Sequence, residues 1–69
     1  VNAVAPGLVR TPWTEDWEDV RAAVERVAPM RREALPEDVA EACTFLAAST
    51  FVTGEVLTVD GGHMLSRAF

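Results

Sequence analysis

The sequence predicts an α/β fold: a βαβ crossover in which two helices join two parallel strands. Three observations carry this. A short apolar run, Val1-Asn2-Ala3-Val4-Ala5, is closed by Pro6-Gly7. Two stretches with apolar residues at helical spacing come next. A β-branched run, Glu55-Val56-Leu57-Thr58-Val59, then ends in Asp60-Gly61-Gly62. Such a strand–helix–strand unit is expected to be parallel and right-handed.

The first run suits a strand buried on both faces of a parallel sheet, and the small Ala3 and Ala5 leave room for a close neighbour. Pro6 stops the ladder and Gly7 permits a turn, so residues 1–12 read as a strand followed by a loop at its carboxyl end. In open α/β sheets that end is where ligands bind. Trp13, Trp17, Val20, Val24 and Val27 recur at steps of four and three, which predicts one helix over 13–28 with these residues on its inner stripe. Acidic residues at 15, 16, 18 and 19 and Arg26 near the end complement the helix dipole, and Pro29 stops the helix near Ala28. A second helix is expected over 36–49, with Pro36 at its first position and Val39, Ala42, Cys43, Phe45 and Leu46 toward the core. The last strand is placed at 55–60, followed by a tail over 61–69.

At 69 residues the chain is at most one small domain, and a core of that size rarely supplies more than about 3–5 kcal/mol. One cysteine excludes an internal disulfide, and Cys43 with His63 is too few ligands for a structural zinc, so no metal site is expected. Two parallel strands leave edges and faces uncovered, so further chain is expected to complete the sheet. The absence of a start methionine before Val1 points the same way. Six arginines against eleven carboxylates give a net charge of −5, which argues against nucleic acid or an anionic membrane as partner. No apolar run reaches the roughly 18 residues of a membrane span, and no signal segment is visible, so a cytoplasmic setting is expected.

Three motifs, in order, carry a resemblance. Asn2-Ala3-Val4-Ala5-Pro6-Gly7-Leu8-Val9-Arg10-Thr11 is similar to the sixth strand and Pro-Gly-x-Ile/Val-x-Thr loop of the short-chain dehydrogenase/reductase family. Arg32-Glu33-Ala34-Leu35-Pro36-Glu37-Asp38-Val39-Ala40 resembles that family's Arg-x-Gly-x-Pro-Glu-Asp-Val/Ile-Ala helix entry, with Ala34 in place of glycine. Val52 to Gly62 resembles its final strand and closing Asp-Gly-Gly. The resemblance implies the carboxyl-terminal βαβ portion of a Rossmann-type doubly wound sheet, incomplete by itself. If position 34 needs a positive φ, Ala34 would be strained there.

By the same resemblance, the parent protein would be an NAD- or NADP-dependent oxidoreductase that moves a hydride between the nicotinamide and a small carbonyl or alcohol substrate, with 3-oxoacyl reduction one option. Pro6, Gly7, Val9 and Thr11 would hold the nicotinamide end, the backbone of Val9 and the hydroxyl of Thr11 reaching the carboxamide or the pyrophosphate. A capping role for Thr11 stays open beside this. Trp13 and Trp17 are either a substrate lid or simply the core stripe of their helix. The family's catalytic tyrosine and lysine have no counterpart here, since the chain contains neither residue type. A homo-oligomer is implied through the last helix and strand, Val39 to Leu46 and Val56 to Val59, with Met64, Leu65 and Phe69 reaching across. From another class, the chain could be a small non-enzymatic interaction module, or a remnant without function.

Overall fold

The computed structural model describes residues 1–66. Its elements are strand β1 (Ala3–Pro6), a 3-10 turn (Pro12–Thr14), helix α1 (Glu18–Val27), helix α2 (Pro36–Ala48), strand β2 (Val56–Val59) and a short helix α3 (His63–Ser66). The two strands pair in parallel, with Ala3 opposite Val56 and Pro6 opposite Val59. Pro6 has no N–H to give, so the ladder is carried on by Gly7, whose N–H donates to the Val59 carbonyl at 3.0 Å.

Both ends of the strand pair are pinned. At the start, the Asn2 side chain donates to the Val52 carbonyl at 3.1 Å and accepts from the Glu55 N–H at 3.0 Å. Gly54 turns the chain with φ +73° and donates to the Val1 carbonyl at 2.8 Å. At the far end β1 runs close against Asp60, and a Cβ on Gly7 would sit 2.9 Å from Asp60 Cβ. Gly7 is therefore small because two segments of this chain touch there.

The Asp60-Gly61-Gly62 turn docks on the end of α1. Asp60 accepts from the N–H groups of Gly62 and Met64, both at 2.9 Å, and these bonds, that of Met64 foremost, hold its carboxyl below the usual carboxylate range. Met30 donates to the Gly61 carbonyl at 3.0 Å, and Gly62, at φ +89°, lies so close to Pro29 that a Cβ would come within 2.8 Å of the ring. The small core sits near this junction, with Val24 and Ala28 buried, while Ala42 of α2 is buried against the sheet side. Helix α2 starts at Pro36 because Asp38 accepts from the Leu35 N–H at 2.7 Å and pairs with Arg32 at 2.9 Å. The Arg32 hydrogen bond first, and the Leu35 N–H second, lower the Asp38 pKa.

Several expectations are corrected. No single helix runs over 13–28: the 3-10 turn, closed by Thr11 and Thr14, is followed by Trp17 at φ −89° and ψ +51°, so α1 begins at Glu18. The strands occupy 3–6 and 56–59 rather than 1–5 and 55–60, and α2 ends at Ala48. Cys43 and Phe45 are exposed, not core. Ala34 has no positive φ; among the described residues the one non-glycine residue with a positive φ is Arg31, at +55°, in the turn after α1. Phe69, expected in the tail contact, lies outside the described residues.

Candidate functional site

The loop after β1 is held open by a second, minimal strand pairing. Val9 forms a parallel bridge to Ala34, the Ala34 N–H donating to the Leu8 carbonyl at 2.7 Å and the Arg10 N–H to the Ala34 carbonyl at 2.8 Å. In that pattern the N–H and C=O of Val9 itself face away from Ala34. Its carbonyl accepts from the Thr14 hydroxyl at 2.8 Å. Thr14, buried, also accepts from the Thr11 N–H at 3.1 Å, so the 3-10 turn is tied directly to the loop. The Thr11 side chain makes no cap hydrogen bond, and the turn is closed by Thr14 instead. Beside this loop lies an open cleft lined by Arg10, Thr11, Pro12, Glu15, Glu18 and Arg21.

Residues 6–11 are thus brought together at the carboxyl end of the strand pair, with Pro6 exposed and Gly7, Val9 and Thr11 half-buried. The two tryptophans flank Thr14. Trp13 is 83% exposed and Trp17 43%, so neither indole joins the core. Among the described residues no cluster of three or more His, Cys, Asp or Glu side chains is placed to hold a metal ion, and no helix is long and apolar enough to cross a membrane.

Sequence reasoning missed a polar hub behind the loop. Glu33 is 8% exposed, and its Oε1 accepts from Arg21 Nε at 3.0 Å and stands 3.8 Å from Arg10 Nε. Arg21 also donates to the Thr14 carbonyl at 3.1 Å and pairs with Glu18 at 3.0 Å. The hydrogen bond to Glu33 is the largest of the influences that raise the Arg21 pKa. Only the Glu18–Arg21 spacing was readable in advance. Nothing in the run Arg31-Arg32-Glu33 distinguishes a buried carboxylate from a solvated one.

A short-chain dehydrogenase family model, described as enoyl-(acyl carrier protein) reductase, matches residues 1–64. The chain belongs to the short-chain dehydrogenase/reductase family. It is 47% identical over 75 residues to the glucose 1-dehydrogenase of Gluconobacter oxydans, covering 100% of this chain and 28% of that protein. It is also 47% identical over 66 residues to the acetoacetyl-CoA reductase of a Synechocystis species, covering 90% of this chain and 28% of the relative. A solved small-chain dehydrogenase in complex with NADPH superposes with a TM-score of 0.85 at 30% identity, over 94% of this chain and 32% of that one. The chain therefore spans under a third of the length of the proteins it matches.

Proposed function

We propose that residues 1–66 are the carboxyl-terminal portion of an NAD(P)-dependent oxidoreductase and form one wall of its nicotinamide site. The observation that carries this reading is the loop after β1. There Val9 turns its N–H away from the Ala34 bridge, with its carbonyl shared with the Thr14 hydroxyl, and Thr11 has a hydroxyl that the adjoining turn does not use. The donor set fits such a nucleotide. A peptide group and a hydroxyl match the donor and acceptor sides of a neutral carboxamide, and exposed Arg10 suits a phosphate. Gly7 lets β1 close against Asp60, so that the loop leaves the sheet in this direction.

The nicotinamide, when bound, supplies or accepts the hydride. This chain's residues would bind and orient: Val9 and Thr11 fix the carboxamide, and Trp13 and Trp17 shield that end from water. The proton-transferring group would come from another part of the protein, because the chain has no tyrosine and no lysine. A carbonyl or hydroxyl carbon is the reacting centre, with a 3-oxoacyl thioester the first substrate to try, as the likeness to an acetoacetyl-CoA reductase suggests. A homo-oligomer built on α2 and β2 would cover part of the apolar surface that Phe45 and Val56 expose, with the protein's own further layers covering the rest.

The test is titration of the full-length protein with NADH and NADPH, followed by turnover with acetoacetyl-CoA and with glucose. Binding of either nucleotide is expected, and Thr11→Val should weaken it about tenfold, the loss of one hydrogen bond. Failure to bind both nucleotides would refute the reading. Truncation after Gly62 should move the enzyme toward smaller species on a sizing column, and an unchanged elution would remove the tail from the interface.

A further inference from the structure

We propose that Arg21 and Glu33 form an ion-pair latch that fixes the tryptophan-bearing turn against the loop after β1, which makes both of them positioning residues for nicotinamide-nucleotide binding. This rests on the nucleotide site proposed above and names what holds it in shape. The Arg21 guanidinium uses Nε for Glu33 Oε1 at 3.0 Å, Nη2 for the Thr14 carbonyl at 3.1 Å and Nη1 for Glu18 at 3.0 Å. A single planar group thereby joins α1, the 3-10 turn and the 32–34 segment. Both side chains are largely withdrawn from water, Arg21 at 14% and Glu33 at 8% exposure.

Glu33 is chained to the site on both sides. Its neighbour Ala34 makes the two backbone hydrogen bonds that hold Leu8 and Arg10, and the Thr14 held by Arg21 donates its hydroxyl to the Val9 carbonyl. A shift of the pair therefore moves both the backbone at Val9 and the turn between the tryptophans. Glu33 Oε2 has no hydrogen-bond partner among the described residues. The carboxylate is thus anchored through Oε1, the oxygen that Arg21 bonds and Arg10 faces, and loss of Arg21 would leave a buried charge with only the exposed Arg10, 3.8 Å away and not hydrogen-bonded to it, to answer it. Packing α1 onto the core would be served as well by an apolar pair, since buried ion pairs are poor stabilisers. What the pair adds is direction.

The experiment compares the full-length enzyme with its Glu33→Gln, Arg21→Lys and charge-swapped Arg21→Glu/Glu33→Arg variants. Each is read by NADPH titration through tryptophan energy transfer, by thermal unfolding, and by the rate of tryptic cleavage after Arg10 without nucleotide. Glu33→Gln should raise the NADPH Kd about tenfold, with KM rising more than kcat falls, and should speed cleavage after Arg10. The charge swap should recover neither effect, because a carboxylate at position 21 would face Glu18 and could not donate to the Thr14 carbonyl, and a guanidinium at position 33 would face Arg10. Arg21→Lys keeps the charge but loses the fork, and should give the same changes in smaller measure; it decides the matter if Glu33→Gln shows no folding transition. Variants that bind NADPH as the parent does would overturn the latch alone. A parent that binds neither NADPH nor NADH would overturn the nucleotide site and the latch's role in it together.

Discussion

Around the loop that follows β1, chain meets chain closely: Gly7 lies on Asp60, Gly62 on Pro29, Val9 beside Ala34, and Thr14 and Glu33 are buried between them. Around α2 only Ala42 is buried, while Phe45 stays 59% and Val56 60% exposed. Both regions come from the same kind of sequence, apolar residues at regular spacing, so hydrophobicity does not separate them. The difference is what each region needs from outside. The first is closed by local turns, caps and the ion pairs around Arg21 and Glu33, all of which residues 1–66 supply. The second presents apolar faces that parallel α/β layers normally cover with further strands and helices.

That contrast can be broken by substitution, scored by chemical denaturation. Gly62→Ala should cost most, about 3 kcal/mol, because it adds left-handed strain to an overlap with the rigid Pro29 ring. Val24→Ala, in the small buried cluster, should cost about 2 kcal/mol. Asp60→Ala removes the acceptor of two N–H groups and should cost on the order of 1 kcal/mol. Its effect also depends on pH. The folded pKa of Asp60 is depressed, so its contribution is complete above the unfolded carboxylate value of about 3.9 and is lost as pH falls through the lower folded value. The variant should accordingly lose less stability than the parent on acidification below about pH 4. Cys43→Ser, on the open side, should change stability by less than about 0.5 kcal/mol. A loss several times larger there would mean that neighbouring segments close over the thiol, and the contrast between the two regions would not hold in the whole protein.

The α/β class and the order of strand, helices and strand were legible because they rest on periodicity and on Pro and Gly punctuation. The break between Trp13 and Trp17 was not. The four-residue step between them is helical in pattern, yet Pro12 and the Thr11–Thr14 closure favour a tight turn that uses up the chain before α1 begins. Burial of Cys43 was over-read for a different cause. Position on a stripe says which side of a helix a residue faces, not whether anything stands opposite. At the candidate site the loop was placed from Pro6-Gly7, whereas the hub of Thr14, Arg21 and Glu33 depends on contacts between residues 7 and 12 positions apart that no local pattern encodes.

The clamp made by Asn2 has a bearing on how such segments can change over time. Its amide reads the peptide groups of Val52 and Glu55, while at the other end Gly7 is locked to Asp60, so the alignment of the two strands is fixed at its margins. The connection from Ser49 to Phe51 has no part in that alignment. Residues can be gained or lost there without shifting which side chains face which layer. An insertion between Val52 and Glu55 would pull the clamp apart and slide the whole strand.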